Sequence, residues 1–283
     1  MIALTDRLAD PGLPLPLTGK TRVFAILGDP IAQAGSPALF NAEFRRRGVA
    51  GVLVPLQVKP EDLKLAFDFL WKVGNFDGLV LTVPHKIVAL RFVDDIETEA
   101  RRMGAINAVR RLRDGRLIGG NFDGIGFIDG LKSRGHDLAG RRVLVVGCGG
   151  AGAAVASAIA AAGAAELKLY DIDATRSRDL AARIESWKLS TKVTSGAPDP
   201  LGSDVVVNCT SLGMKAGDPL PVAIERLSPS ALAVDIVLEP ELTPFLVSAR
   251  ERGNPIHSGS FMLAAQIGAI ADFFGLGPSQ PAA

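Results

Sequence analysis

Short continuous apolar blocks alternate along this chain with longer stretches whose apolar positions recur every third or fourth residue. The blocks at 23–27, 52–58 and 77–83 read as buried strands, since a parallel strand covered on both faces carries apolar side chains throughout. Helical spacing lies between them, at 36–47 and again from Pro60, where Leu63, Phe67 and Leu70 share a face. Ser36 is expected as an N-cap with Pro37 in the first turn, and Glu61 and Asp62 suit the positive end of the next helix. A helical stretch is expected after the third block as far as Met103. Runs at 107–112 and 116–119 flank Asp114-Gly115, a hairpin signal. Asn121-Phe122-Asp123-Gly124 then opens a helix near 125–134.

The alternation resumes with a strand at 143–146, a helix at 153–162 and a strand at 166–170. Further strands are expected near 192–194, 204–208 and 231–236, with helices over 242–252 and 260–274. Pro11, Gly12, Pro14 and Pro16 make 1–20 an irregular lead-in, and Pro278 and Pro281 predict a frayed tail from Gly275. This order predicts an α/β protein. Its first domain has a mostly parallel sheet with an antiparallel edge, and a second α/β unit follows.

The sharpest feature is Gly147-x-Gly149-x-x-Gly152, which follows the apolar Val143-Leu-Val-Val146 and opens an alanine-rich helix. The first glycine permits the tight turn, the second lets backbone approach a pyrophosphate, and the third lets helix pack on strand. The helix N-terminus offers free N–H groups and a positive dipole end to phosphates. Asp171 ends the next strand 24 residues after Gly147, near the ~20 expected of the acid that grips a ribose. The pattern predicts a bound dinucleotide.

Composition narrows the field. With 48% hydrophobic and 22% charged residues, an ordinary globular core is expected, and 283 residues suit about two domains. A net charge of +1 gives no reason to expect nucleic acid or a membrane surface. No apolar leader or bilayer-length run is visible, so a cytoplasmic protein is expected. Cys148 and Cys209 make neither a disulfide framework nor a metal site, and His85, His136 and His257 are isolated in sequence, so no metal is expected.

Lys86 follows a strand end, where α/β sheets present ligand groups. It can donate to a hydroxyl or act as a base, although a lysine at a helix start is commonly a plain surface residue. Asp123 occupies an N-cap context, which is commonly structural. Their weight comes from company. Gly28-Asp-Pro-Ile31 through Ser36-Pro37, Leu81-Thr-Val-Pro-His-Lys86, Gly104-Ala-Ile-Asn107 and Gly120-Asn-Phe-Asp-Gly124 stand in order along the chain. Val146-Gly-Cys-Gly-Gly-Ala151, Asn208-Cys-Thr-Ser-Leu-Gly-Met214, Asp235-Ile-Val237 with Pro240, and Gly259-Ser-Phe-Met262 through Gln266 continue it. Taken together, the chain resembles the shikimate/quinate dehydrogenase family over residues 21–275.

The resemblance implies a substrate domain of residues 1–122 plus 258–283, to which the last helix returns, and a Rossmann-type nucleotide domain of 123–257. It implies an oxidoreductase that interconverts a cyclic polyol acid and its keto form, with Lys86 and Asp123 as the catalytic proton-transfer pair. Asn107 and Gln266 would bind ring hydroxyls and Ser36 the carboxylate end, with Thr82 also on the substrate. Gly147, Gly149, Gly150, Ala151, Gly152, Asp171, Thr210, Gly213, Met214, Val237 and Gly259 would hold the cofactor. A small-molecule substrate is the expected partner, and the family includes monomers and homodimers.

Four positions depart from the family pattern: Ala34 and Val80 replace a serine and an asparagine, Phe122 a threonine, and Leu238 a tyrosine. Each exchanges a polar group for an apolar one. The lost serine and tyrosine belong to the carboxylate end, so an altered ring substrate or poor shikimate turnover is expected, with local repacking the plainer alternative. Family members that use NADP usually carry Asn-Arg-Thr where Asp171-Ile172-Asp173 stands, which predicts NAD rather than NADP here, subject to Arg176 and Arg178 nearby. An aminoshikimate-type dehydrogenase and a nucleotide- and metabolite-binding regulatory protein stay open as alternatives.

Overall fold

The computed structural model describes residues 17–32 and 34–277. They fall into two units, one running to Phe122 and resuming at Gln266, the other spanning Asp123–Ala265.

In the first unit, β1 (Arg22–Gly28), β2 (Gly51–Gln57), β3 (Phe76–Leu81), β4 (Asp95–Ile96), β5 (Ala108–Arg111) and β6 (Leu117–Gly120) form one sheet in the order β2-β1-β3-β5-β6-β4. β1 runs parallel to β2 and β3, with Ile26 opposite Pro55 and Val80, while the β5–β6 hairpin pairs antiparallel to β3. α1 (Ser36–Arg46), α2 (Leu63–Leu70) and α3 (Thr98–Met103) complete the alternation. Phe24 anchors one face, its ring centre 4.8 Å from Phe44 and 5.3 Å from Phe274. Leu27, Phe67, Phe76, Leu79 and Leu81 fill another cluster.

Three expectations are corrected. Gly35, not Ser36, caps α1, and it does so without a side-chain bond; Ser36 is the first helical residue. The long helix expected up to Met103 is instead a 3₁₀ turn at Val88–Phe92, the short strand β4 and α3. The hairpin edge captures the chain there, as Asp94 and Leu117 exchange hydrogen bonds, so tertiary pairing overrides local propensity. The tail is not frayed at 275–277, because Leu276 is buried and its carbonyl accepts from Arg47. Residues 1–16 and 278–283, the rest of the expected lead-in and tail, lie outside the described residues.

Arg47 is itself buried. It pairs with Glu43 and Asp272 and also donates to the Gly268 carbonyl, so α1 is clamped to the last helix and its exit. Removing one partner of a buried charge network leaves the others unpaired. Arg47→Ala is expected to destabilise the first unit by about 3 kcal/mol, read by urea unfolding followed through signals from that unit.

In the second unit, β7 (Arg142–Val146), β8 (Glu166–Tyr170), β9 (Lys192–Ser195), β10 (Val205–Asn208), β11 (Leu232–Asp235) and β12 (Ile256–His257) are all parallel, ordered β12-β11-β10-β7-β8-β9. Read from β9, this is the 3-2-1-4-5-6 order of the doubly wound dinucleotide fold, with its switch point between β7 and β10. α4 (Asp123–Lys132), α5 (Gly150–Ala161), α6 (Ala174–Glu185), α7 (Pro244–Glu251) and α8 (Gly259–Phe273) supply the helices. α6 and β12 are absent from the sequence reading: α6 is mostly polar, and β12 is two residues long.

α8 is shared by the two units. At Gly130 a β-carbon would lie 2.9 Å from the Met262 nitrogen, so the start of α8 presses on α4. From Gln266 onward the helix counts with the first unit, eight residues later than the 258 expected. Among the described residues no helix is long and apolar enough to cross a membrane.

His257 on β12 sits 5.0 Å from the Phe261 ring and 5.8 Å from His136, its buried Nε2 lacking a hydrogen-bond partner. Burial first, and then His136 and Arg134, push its pKa down to about 4. The unfolded chain takes up this proton near pH 6.5, the folded protein only near 4, so stability is lost as pH falls through that window. The loss is expected to reach about 3 kcal/mol in denaturant unfolding between pH 7 and 4, and His257→Phe should flatten that part of the profile.

Candidate functional site

In the first unit, the turns after β1 and β3 are laced together. Thr82 N–H donates to the Leu27 carbonyl and Asp29 N–H to that of Val83. At Gly28 a β-carbon would lie 2.5 Å from the Thr82 methyl, so a larger residue there would displace that side chain. His85 turns back beneath the loop, buried, with Nε2 2.7 Å from the Val58 carbonyl oxygen. A carbonyl only accepts, so Nε2 carries the proton. The half-buried Lys86 follows, its carbonyl accepting from Ile106 N–H.

Asn107 is next along the strand. Its backbone bonds to Leu81 and Gly120, and its side-chain Oδ1 accepts from Phe122 N–H at 3.0 Å. This fixes the amide's orientation. Asn121 donates to the Ala105 carbonyl. The structure thus brings Thr82, Lys86, Asn107 and Asn121 to one end of the first sheet. Gln266 lies on α8, on the helical face that also carries Phe273. Phe273 stacks on Phe122 with ring centres 5.0 Å apart. Ser36 sits in the first turn of α1.

Two of the four departures from the family pattern are hydrophobic packing. Phe122 is buried, lying against Phe273 and Gly120, and Val80 is buried in mid-sheet between Ile26 and Ala108. Ala34 and Leu238 are half-exposed.

In the second unit, Asp123 is the buried first residue of α4. Gly147 has φ +99°, and a β-carbon at Gly152 would lie 2.0 Å from the Gly147 carbonyl oxygen. Around Gly149 and Gly150 the space is open, so the first turn of α5, with Ala151, presents its N–H groups outward. The Asp171 carboxylate accepts from Cys148 N–H at 2.7 Å and Asp173 N–H at 3.0 Å, stapling the end of β8 to the glycine turn. Its oxygens keep lone pairs for ribose hydroxyls. Ile172 beside it is 93% exposed. Arg176 lies 3.6 Å from Asp173, and Arg178 donates to Thr175. This loop fits a dinucleotide.

The thiols here stay protonated at neutral pH. Burial, then Asp171, pushes Cys148 up to about 12, and burial likewise raises Cys209. Among the described residues no cluster of three or more His, Cys, Asp or Glu can hold a metal ion.

Thr210, Gly213, Met214 and Val237 occupy the loops after β10 and β11. Gly259 opens α8, where a β-carbon would lie 2.7 Å from the Ile236 carbonyl oxygen. The polar residues beneath these loops, Asn208, Asp235 and Thr243, are buried; the sequence names the first two only as motif residues with no role, and Thr243 not at all. Their signal was position: Asn208 and Asp235 end their strands, at the edge where such sheets hold ligands.

Comparison with known proteins adds the following. Residues 26–109 match the shikimate dehydrogenase substrate binding domain, and 130–184 the ThiF family. A shikimate dehydrogenase (NADP(+)) of Rhodospirillum rubrum is 40% identical over 256 residues, which cover 88% of this chain and 90% of the relative. Quinate dehydrogenase from Corynebacterium glutamicum, solved with NAD, superimposes with a TM-score of 0.82 at 29% identity, covering 92% of this chain and 95% of that one. The ligand-free 5-ketofructose reductase of a Gluconobacter strain gives 0.83 at 29% identity, with 91% and 94% covered.

Proposed function

The chain belongs to the shikimate dehydrogenase family, and from that premise we propose a division of labour among its residues. The protein is an oxidoreductase that acts on a CH–OH group of a cyclic polyol acid of the shikimate or quinate type, with a nicotinamide cofactor. When bound, that cofactor supplies hydride transfer. The protein's own part is positioning and the proton. Lys86 takes the proton leaving the alcohol, with Asp123 as the second member of the proton-transfer pair. Asn107 and Gln266 offer amide donors and acceptors to ring hydroxyls, with Thr82 beside them and Ser36 toward the carboxylate end. The buried amide of Asn107, already fixed by Phe122 N–H, suits that role because little ordering remains to be done on binding.

The cofactor is NAD. The observation that carries this is the pair at the end of β8: a carboxylate at Asp171 that would repel a 2′-phosphate, and an exposed Ile172 where an arginine would grip it. Arg176 is drawn toward Asp173 and Arg178 toward Thr175, which leaves both less suited to the phosphate. The Rhodospirillum relative is named for NADP, and the Corynebacterium enzyme was solved with NAD, so relatives of both kinds occur and the reading rests on the residues of this chain.

The substrate differs from shikimate at its carboxylate end, where Ala34 and Leu238 offer no hydroxyls. Each lost bond costs on the order of 1–3 kcal/mol, about ten- to a hundredfold in affinity. A keto sugar without a carboxylate is the second reading, favoured by the same two residues and by the likeness to 5-ketofructose reductase.

One panel tests these points together: shikimate, quinate and 5-ketofructose, each with both cofactors. The expected result is a kcat/KM at least about tenfold higher with NAD, and a weak shikimate KM. A preference for NADP removes the cofactor proposal, and tight shikimate binding removes the altered-substrate proposal. Lys86→Ala is expected to lower kcat by about a hundredfold or more with a modest change in KM; a loss confined to KM would mark a binding protein instead.

A further inference from the structure

An extended dinucleotide laid along the carboxyl ends of the second sheet has its course set by the strand order. Its pyrophosphate belongs over the glycine turn after β7, and its adenosine ribose beside Asp171 after β8. The other half must then run the opposite way, over the ends of β10 and β11. The loops found there are 209–218 and 236–243, and one buried group joins them.

That group is the carboxylate of Asp235, which has no solvent exposure. It accepts from three donors: Asn208 Nδ2 at 3.0 Å, Val237 N–H at 2.9 Å and the Thr243 hydroxyl at 2.7 Å. Each donor carries the order outward. Asn208 also donates to the Leu212 carbonyl, and its Oδ1 accepts from Thr210 N–H and from the Thr210 hydroxyl at 2.6 Å. Thr243 caps α7 by accepting from Leu246 N–H, and its Cβ lies 3.0 Å from where a side chain would start at Gly213. Asp218 closes the far end of the loop by accepting from Gly213 and Lys215 N–H groups. Burying a carboxylate is costly, and packing alone would be served as well by an apolar side chain. What the carboxylate supplies is several acceptor sites at one point, which hold two loops in fixed register.

We propose that Asp235 is a positioning residue for the nicotinamide half of the cofactor: through Asn208 and Thr243 it sets Thr210, Gly213, Met214 and Val237 against that half. The proposal rests on the reading of those four residues as cofactor-binding. Asp235 touches no cofactor itself, so its loss weakens the nicotinamide end and spares the adenosine end.

The test uses the enzyme with Asp235→Asn, which keeps the size and removes an acceptor oxygen, and Thr243→Val, which removes one donor to Asp235 together with the α7 cap and keeps the contact at Gly213. KM for the preferred nicotinamide cofactor, kcat, melting temperature and inhibition by AMP, a probe of the adenosine end alone, are measured on each. The expected result is a cofactor KM raised about tenfold by Asp235→Asn and about fivefold by Thr243→Val, with the AMP inhibition constant unchanged in both. Should Asp235→Asn fail to fold, Thr243→Val carries the test alone. A cofactor KM that stays at the wild-type value in a folded variant overturns the proposal, as does an AMP constant that rises in step with it, which would mark a general loss of structure. If the wild-type enzyme neither turns over with a nicotinamide cofactor nor binds AMP, the cofactor reading falls first.

Discussion

The second unit is built on a near-collision. The carbonyl oxygen of Gly147 and the backbone of Gly152 approach so closely that no β-carbon fits between them. This contact seats α5 directly on the end of β7 and aims its first turn at the open space around Gly149 and Gly150. The same turn carries Cys148, whose N–H donates to Asp171. The phosphate cradle and the ribose acid thus meet at one turn.

A common device appears at several strand ends. The last residue of a parallel strand leaves backbone groups that the sheet no longer satisfies, and this chain answers with side-chain carboxylates and amides. Asp171 staples the end of β8 to the glycine turn, Asn107 pins the chain leaving β6, and Asp235 joins the ends of β10 and β11. In each case the polar group that completes the fold adjoins a residue with a proposed part in the chemistry. Folding and preorganisation are served by the same hydrogen bonds, so little extra ordering is left for ligand binding.

Much of this architecture was legible because its signals are local. The run from Val143 into Gly147 reports a strand and turn within ten residues, and Asp114-Gly115 marks the hairpin whose turn holds Gly115 at positive φ. What escaped depends on partners distant in sequence. The stretch before Met103 has helical composition, but Asp94 and Leu117 pull it into a strand. Leu276 reads as tail until Arg47, 229 positions earlier, takes its carbonyl. The polar face of α6 hides its few apolar anchors, Leu180, Ala181 and Ile184. Phe122 reads as a change in the pocket, and only the placement of Phe273 turns it into packing. The Asp235 network is invisible for the same reason: Asn208, Asp235 and Thr243 are unremarkable polar residues until the sheet brings them together.

The split first unit has a consequence for how the protein is made. Phe24, Phe40 and Phe44 emerge early from the ribosome, but Phe274, which packs on Phe24 and Phe40, and Asp272 and the Leu276 carbonyl, which complete the bonding of Arg47, come last. The whole of Asp123–Ala265 is synthesised in between. At roughly 5–20 residues per second, that interval lasts on the order of ten to thirty seconds. The unit begun first is therefore finished last. For that time its aromatic face is uncovered beside a second unit already free to fold, which makes this interval the point in the protein's life most exposed to aggregation and most in need of a chaperone.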